Sequence, residues 1–295
     1  MKYLAIVTCL LLFASCQNSY KILQLTDLHL QLFRPEQVED VFARMNKLVK
    51  WEDPDLITVT GDLVYSTPSD TLMRLIVRKL DSFERPWVIV YGNHDHEHGC
   101  TLAQLSDIIV KSKHTLNTLN SEGILADFEF PAGKWRLFFL DSHAYSTDPV
   151  DYSNFSYAWF TDEQVQWVRE TAGKHPDEPS IAFFHIPFPE YADTTGHFGT
   201  FGEPVCCGKY NPGMFNAMKE TGFVATFCGH DHDNDYVVDH EGVLLAYGRY
   251  SGSNGEYNHL PKGARIIVLR DDGSLDTWIR EGNGKVVQKY SYQPQ

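Results

Sequence analysis

Residues 87–95 read Trp87-Val-Ile-Val-Tyr-Gly-Asn-His-Asp95, an apolar run that ends in a cluster of polar side chains. A short continuous run of this kind is typical of a β-strand that is buried on both faces. The glycine that follows the run favours a tight turn or a close approach of the backbone. The stretch therefore predicts a buried strand whose carboxyl end presents Asn93, His94 and Asp95.

The same arrangement recurs at four other places, where a polar cluster begins no more than three residues after a strand-like run. These clusters are Asp27-Leu-His29, Gly61-Asp62, His185 and Gly229-His-Asp-His232. In open α/β sheets, ligands bind outside the carboxyl ends of the strands, so the clusters are expected to meet. Carboxylate, amide and imidazole groups suit hard or borderline cations. Together they would supply enough ligands for two metal ions, which indicates metal-assisted hydrolysis.

Strand-like runs alternate with helical patterns along the chain. The predicted strands are Lys21–Thr26, Leu56–Thr60, Trp87–Tyr91, Trp135–Leu140, Ile181–Phe184, Val224–Cys228, Val243–Ala246, Arg265–Leu269 and Asp276–Arg280. Apolar residues at helical spacing predict helices within 38–49 and 72–83. A capping box at Thr161-Asp-Glu-Gln164 begins a third helix, and Asn211-Pro212 is expected to begin a fourth that ends at Gly222.

The order of these elements predicts an α/β domain from about residue 20 to residue 282. We expect a largely parallel first half and an antiparallel arrangement of the last three strands, because short turns such as 271–273 join them. Residues 283–295 are expected to form a polar C-terminal tail.

Residues 1–15 have the features of a signal peptide. Lys2 supplies a positive charge, Leu4–Phe13 is an apolar run too short to span a bilayer, and small residues precede Cys16. The segment resembles the lipobox of bacterial lipoproteins, which implies acylation of Cys16 and a periplasmic or cell-surface location. Plain secretion after cleavage near Cys16 is the alternative. Contact with a membrane is expected only through this lipid.

The composition restricts the partners and the disulfides. The chain carries 25 basic and 39 acidic residues and a net charge of −14, which disfavours long contacts with nucleic-acid phosphates. Beyond Cys16, the cysteines are Cys100, Cys206, Cys207 and Cys228. They are too few for a disulfide-built scaffold. A disulfide from Cys100 to Cys206 or Cys207 is compatible with export, and the sequence does not choose between the two.

The five clusters, in the order D-x-H, GD, GNHD, H and GHxH, resemble the calcineurin-like metallophosphoesterase superfamily over nearly all of the chain after residue 15. Residues 227–236 and 246–250 are similar to its small purple acid phosphatase 29 and Dcr2-like branch. The resemblance implies an αββα sandwich, in which two packed mixed β-sheets are flanked by helices. It also implies hydrolysis of phosphomonoesters, and secondarily of phosphodiesters, by metal-bound hydroxide.

The resemblance also implies roles for individual residues. The first metal ion would be bound by Asp27, His29 and His232. The second would be bound by Asn93, His185 and His230. Asp62 would bridge both ions, His94 would contact the phosphoryl group and protonate the leaving oxygen, and Asp95 would support this catalytic loop. The ions could be Mn, Fe, Zn, Mg or Co, because the ligands are mixed nitrogen and oxygen donors.

Three further residues are candidates for substrate contact. His143 follows a predicted strand and could face the site. Arg249 could contact phosphate, with a surface ion pair as the alternative. Tyr65 matches the ligating tyrosine in the GDxxY block of purple acid phosphatases, but His29 can fill that site, so Tyr65 is expected beside the ligands. His96 and His98 are expected to be solvated.

Taken together, these features predict an exported dinuclear phosphohydrolase that acts on a small-molecule phosphoester and is expected to be a monomer. One alternative is a phosphodiesterase acting on nucleotides or phospholipid head groups. Another class of function is a catalytically silent surface lipoprotein that binds metal or glycan. Glycan binding would use the aromatic residues of one loop, which are Tyr145, Tyr152, Phe155, Tyr157 and Trp159.

Overall fold

The computed structural model describes residues 19–146, 157–254 and 256–294. Cys16 and the predicted signal peptide lie outside the described residues, as do Tyr152 and Phe155 of the aromatic loop. Within the described part of the chain, no helix is both long enough and apolar enough to cross a membrane.

Twelve strands and five α-helices are found within these ranges. The strands are β1 Ser19–Leu25, β2 Leu56–Thr60, β3 Trp87–Val90, β4 Phe128–Ala132, β5 Trp135–Phe139, β6 Ser180–Phe183, β7 Phe223–Cys228, β8 Val237–His240, β9 Val243–Tyr247, β10 Gly263–Arg270, β11 Leu275–Glu281 and β12 Val286–Tyr292. The helices are α1 Pro35–Glu52, α2 Ser69–Asp81, α3 Leu102–Ile109, α4 Asp162–Ala172 and α5 Met214–Glu220, with a short 3-10 helix at Pro189–Ala192.

The strands form two six-stranded sheets. The first has the order β12-β11-β10-β1-β2-β3, and the second has the order β4-β5-β6-β7-β9-β8. Both are mixed, because β1, β2 and β3 run parallel while β10 to β12 are antiparallel, and β5, β6, β7 and β9 run parallel between antiparallel edges.

Alternation along each strand separates the buried side chains into layers. On β3, Val88 and Val90 pack in the layer between the two sheets, while Ile89 faces α1 and α2. Apolar side chains of α1 and α2 cover the first sheet, and those of α4 and α5 cover the second. The predicted αββα sandwich is thus confirmed.

The helix ends follow from local sequence. Pro35 occupies the first turn of α1, where a missing N–H costs nothing, and Asp53 ends the helix in a left-handed conformation. The predicted capping box at Thr161 is present, with Gln164 as its reciprocal partner. The expected start at Asn211-Pro212 is wrong, because α5 begins only at Met214, after Gly213 with φ of 88°.

The C-terminal region differs from the expectations in two ways. Val286–Tyr292 is a strand rather than part of a polar tail, and it pairs antiparallel with β11 at the edge of the first sheet. The last three predicted strands correspond to β9, β10 and β11. β10 and β11 are antiparallel as expected, but β9 lies in the other sheet and pairs parallel with β7. Its short length and apolar sequence gave no indication of the sheet to which it belongs.

The described cysteines are all free, so neither disulfide considered above is present. Cys228 is buried in the layer over the second sheet, and its neighbours in the sequence are apolar.

Candidate metal centre

The polar clusters all lie at the carboxyl ends of parallel strands. Asp27 follows β1, Asp62 follows β2 and Asn93 follows β3, while His185 and His230 follow β6 and β7. Because both sheets present these ends to the same side of the sandwich, side chains from distant parts of the chain come together.

The first group of ligand atoms comes from Asp27, His29 and His232, and these atoms all lie within 4.8 Å of one another. Asp27 Oδ1 is 3.8 Å from His29 Nε2 and 3.6 Å from His232 Nε2. All three side chains are buried. The group thus places one carboxylate between two imidazole rings.

The second group comes from Asp62, His185 and His230, also within 4.8 Å of one another. His185 Nε2 is 3.2 Å from Asp62 Oδ2, 3.1 Å from Asn93 Oδ1 and 3.3 Å from His230 Nδ1. Asp62 Oδ2 is also 3.6 Å from His29 Nε2 in the first group. The carboxylate of Asp62 therefore faces both groups.

Backbone carbonyls orient two of the imidazole rings. His185 Nδ1 is 2.8 Å from the carbonyl oxygen of Thr60, and His232 Nδ1 is 2.8 Å from that of Tyr257. A carbonyl can only accept a hydrogen bond, so each Nδ1 carries the proton. In the neutral ring, Nε2 then directs its lone pair into the cluster, as a metal ligand must.

The donors fit two cations. Both ring nitrogens of His29 and the Nε2 atom of His230 are buried without a hydrogen-bond partner. A buried polar atom without a partner costs about 1–3 kcal/mol, and a bound cation would offset part of that cost. The surrounding imidazole, carboxylate and amide groups are the nitrogen and oxygen donors that borderline divalent ions accept.

The charges within the cluster are strongly coupled. Burial alone would lower the pKa of His185, but the carboxylates of Asp62 and Asp27 raise it to about 10. Burial and the neighbouring His185 lower the pKa of His230 to about 3. Burial opposes ionisation of Asp27 and Asp62, yet the imidazoles hold the pKa of both carboxyls well below the usual range. Both carboxylates are thus ionised, and their negative charge favours the binding of cations.

Glycine is required where the loops cross. A Cβ atom on Gly92 would lie 2.2 Å from Asp62 Oδ1, and one on Gly229 would lie 2.0 Å from Thr26 Oγ1. Both distances are far below any van der Waals contact. The close approach of the backbone that the sequence predicts at Gly92 is therefore present, and Gly229 has the same kind of contact.

His94 lies beside the ligands. Its backbone N–H donates to Asp62 Oδ1 at 2.8 Å, and its ring centroid is 5.5 Å from that of His29. The side chain is 25% exposed, so it can meet a molecule that approaches from solvent.

Asp95 has a different environment. It is fully buried and accepts hydrogen bonds of 2.8–3.2 Å from the N–H groups of Gly92, Asp62, Leu63 and Val64. Burial and the charge of Asp62 raise its pKa to about 7 against these hydrogen bonds. Asp95 thus joins the loops after β2 and β3 through its hydrogen bonds, and its side chain has no contact with solvent.

The three candidate substrate contacts lie in different places. Arg249 is buried, forms an ion pair with Asp235 and donates to the Pro261 carbonyl at 2.6 Å. The guanidinium is therefore buried and bonded to protein groups, so it does not face a substrate. This corrects the expectation of a phosphate contact. A buried ion pair cannot be distinguished from an exposed cation in the sequence alone.

Tyr65 and His143 remain near the site. The ring of Tyr65 is 5.0 Å from those of His29 and His94, and its hydroxyl bonds Glu256. Tyr65 belongs to neither group of ligands. His143 is half-buried, and its Nε2 atom lies 2.9 Å from Gln164 Oε1. It also lines a groove of about 440 Å³, together with Gly92 and His96. His96 is exposed, as expected, whereas His98 is half-buried.

Sequence reasoning missed two residues that contact the site. Glu97 accepts from His94, and Tyr145 bonds both Glu97 and Asn93. The spacing of three residues between His94 and Glu97 could have indicated the first contact. Tyr145 follows another strand, and nothing in its aromatic loop indicated a hydrogen bond to a ligand.

Comparison with known proteins agrees with this geometry. Residues 20–234 match the family model described as calcineurin-like phosphoesterase. The chain is 27% identical over 328 residues to the phosphatase DCR2 of Saccharomyces cerevisiae, which covers 94% of this chain but only 56% of that longer protein. It is 29% identical over 308 residues to the probable inactive purple acid phosphatase 29 of Arabidopsis thaliana, covering 86% of this chain and 78% of that protein.

A solved structure shows the same fold. The dimetal phosphatase from Danio rerio superposes with a TM-score of 0.66 at 14% identity, covering 94% of this chain and 99% of that one.

Proposed function

The chain belongs to the calcineurin-like phosphoesterase family, and on this premise we propose that it is a dinuclear metal-dependent phosphomonoesterase. The observation that carries the proposal is the pair of buried ligand groups that share the carboxylate of Asp62, with His94 bonded to the same carboxylate.

The ligands divide between two ions. One set of residues would hold the first ion, namely Asp27, His29 and His232. The other would hold the second, namely Asn93, His185 and His230. Asp62 would bind both, because its Oδ2 atom faces both groups. Bound there, two cations supply Lewis-acid polarisation of the phosphoryl group and an activated water.

His94 acts at the other end of the phosphoester bond. Its N–H bond to Asp62 fixes the loop, and its partly exposed ring beside the first group can reach the leaving oxygen. Donation of a proton from this imidazole offsets the charge that develops on that oxygen. No nucleophilic side chain is needed, so the proposal contains no covalent intermediate.

Phosphodiester hydrolysis is the second candidate. The groove of about 440 Å³ beside Gly92 offers room for a second esterified group. Its lining is largely apolar, with Tyr91, Leu102 and Ile124 among the residues that form it. A phosphodiester substrate would place one organic group there.

A panel of mono- and diesters, tested on protein of known metal content, decides between these activities. We expect the highest kcat/KM for a monoester, and we expect His94→Ala to lower kcat by about 100-fold or more, the usual range for losing a general acid. Full activity in His94→Ala contradicts its role. Two bound metal ions without hydrolysis of any phosphoester would favour the catalytically silent alternative.

Metal identity and export are separate proposals. The mixed donors support Mn, Fe, Zn, Mg or Co, which metal analysis of the purified protein would distinguish. The pattern of residues 1–16 supports an exported protein anchored by a lipid on Cys16. Mass spectrometry of the membrane fraction should find an acylated N-terminus at Cys16, and an uncleaved N-terminus would contradict export by this signal.

A further inference from the structure

We propose that Glu97 is a positioning residue that orients both His94 and the ligand Asn93 through one chain of hydrogen bonds, with Tyr145 as the connecting member. The inference rests on the proposed phosphoester hydrolysis, because it concerns how that site is prepared for metal binding and for protonation of the leaving group.

Four side chains form the network. His94 Nδ1 is 2.7 Å from Glu97 Oε2, and the Tyr145 hydroxyl donates to Glu97 Oε1 at 2.8 Å. Asn93 Nδ2 in turn donates to the Tyr145 oxygen at 3.1 Å. The network thus connects the residue beside the leaving group with a ligand of the second group, through a loop after β5 that carries Tyr145.

Glu97 fixes the proton position on His94. An ionised carboxylate accepts hydrogen bonds and donates none. Burial opposes ionisation of Glu97, but the hydrogen bonds from His94 and Tyr145 outweigh it and lower the pKa of the carboxyl. Nδ1 of His94 must therefore carry a proton, so the proton that passes to the leaving oxygen is the second one, which the imidazolium form carries on Nε2.

The same carboxylate fixes Asn93 through Tyr145. A tyrosine hydroxyl has one hydrogen, and Tyr145 gives it to Glu97, so its oxygen accepts from the Asn93 amide nitrogen. The amide oxygen of Asn93 is thereby turned toward His185 Nε2, 3.1 Å away, in the second group. The opposite orientation of the amide would present N–H groups to the cation, which cannot ligate it.

The network lies at the edge of the site rather than in the core. The side chains of His94 and Glu97 are 25% and 30% exposed. A change at Glu97 should therefore leave the fold intact. Glu220, which is paired with Arg169 on the surface, offers a matched control for the same loss of charge.

The kinetic test compares two esters. Glu97→Gln should lower kcat for an alkyl phosphate by about 10–100-fold, as the loss of a residue that orients a ligand or acid usually does. Hydrolysis of 2,4-dinitrophenyl phosphate should change by less than about 3-fold, because this leaving group needs no proton. KM should be retained, and so should metal content, because the amide oxygen of the glutamine can still accept the hydrogen bond from Tyr145. Glu220→Gln should match the wild type. The double variant Glu97→Gln/His94→Ala should be no slower than His94→Ala alone, since both act on one step.

The second test does not depend on turnover. Tyr145→Phe keeps the ring but removes the acceptor that orients Asn93. We expect the affinity for one of two cations to fall by about 10-fold or more in a calorimetric titration with Mn²⁺ or Zn²⁺, and the affinity for the other to be retained.

Several results would overturn the inference. Equal slowing of both esters in Glu97→Gln, or additive losses in the double variant, would indicate a structural contact. Unchanged affinity for both cations in Tyr145→Phe would refute the orientation of Asn93. If the wild type binds two cations and hydrolyses no phosphoester, the proposed function fails, whereas the titration of Tyr145→Phe still tests the inference.

Discussion

At the residue scale, four of the seven ligands share an unfavourable backbone conformation. Asp27, His29, Asp62 and His230 have φ values of 55°, 44°, 53° and 80°. Each non-glycine residue in this region costs about 1–3 kcal/mol, and such residues concentrate at functional sites. The strand ends are thus shaped for directing side chains to one point rather than for stability.

Gly92 is the residue at which this crowding can be tested. We expect Gly92→Ala to displace Asp62, because its Cβ atom would lie 2.2 Å from Asp62 Oδ1 and 2.4 Å from the Asp62 nitrogen. The variant should lose metal content and hydrolysis together, as measured by metal analysis and turnover. Gly133→Ala is the control, since its Cβ meets no atom within 4 Å and only its φ of 63° is strained. It should lose about 1 kcal/mol of unfolding free energy and no metal. Normal metal content in Gly92→Ala would contradict the packing at Asp62.

Arg249 is expected to contribute to the stability of the fold and not to substrate binding. Because its guanidinium is buried against Asp235, Arg249→Gln leaves a carboxylate without its partner. Breaking a buried pair on one side costs about 3–5 kcal/mol, which denaturant unfolding would detect. KM for phosphoester substrates at a temperature where the variant is folded should stay the same. A large rise in KM without loss of stability would restore Arg249 as a phosphate contact.

At the scale of elements, the register of parallel strands brings the ligands together. β1, β2 and β3 are neighbours, and so are β6 and β7, so their carboxyl ends lie side by side in each sheet. The strands at the edges of the sheets are harder to recognise in the sequence. β12 is mostly half-buried and polar, and only Tyr292 at its end is buried.

Removal of β12 tests whether this edge strand belongs to the domain. A chain that ends at residue 282 should lose at least about 2 kcal/mol of unfolding free energy. The truncation removes the buried ring of Tyr292 and exposes the residues of β11 that pair with β12. A chain that ends at Tyr292 is the control and should unfold like the full chain. Equal stability of all three chains would show that β12 contributes nothing.

The sequence predicts the elements that contain a continuous run or a regular pattern of apolar residues. Leu56–Thr60 is a buried strand with the predicted bounds, and the helices at 38–49 and 72–83 are extended at both ends or shifted by a few residues. β4, β8 and β12 were missed because their stability comes from pairing with a neighbour rather than from an apolar run. The sheet to which β9 belongs also depends on tertiary contacts.

At the scale of the whole molecule, the candidate site joins the two sheets. Asp27, His29 and Asp62 come from the first sheet, and His185, His230 and His232 come from the second. A cation bound between them would cross-link the halves of the sandwich. The sequence could predict these residues, because each follows a strand-like run. It could not predict the contacts of Arg249 and Tyr145, which depend on how separate loops pack.

Metal removal should therefore destabilise the entire domain. A cation present at 100 times its Kd stabilises the folded state by about 2.7 kcal/mol. Chelation should lower Tm by several degrees for a domain of this size, and re-addition should restore it. Asp62→Asn should show little of this cation-dependent shift. A wild-type Tm that does not respond to chelator or to added cations would contradict a site that bridges the sheets.

Metal stoichiometry tests the central claim most directly. Protein loaded with Mn²⁺ or Zn²⁺, freed of excess ion and measured by elemental analysis, should contain two ions per chain in the wild type. Asp62→Asn should contain fewer than one, because the ligand that faces both groups is weakened, while Asp107→Asn on the exposed part of α3 should contain two. A wild type that retains no more than one ion under all loading conditions, or an Asp62→Asn variant that retains both, would contradict a dinuclear centre built on Asp62.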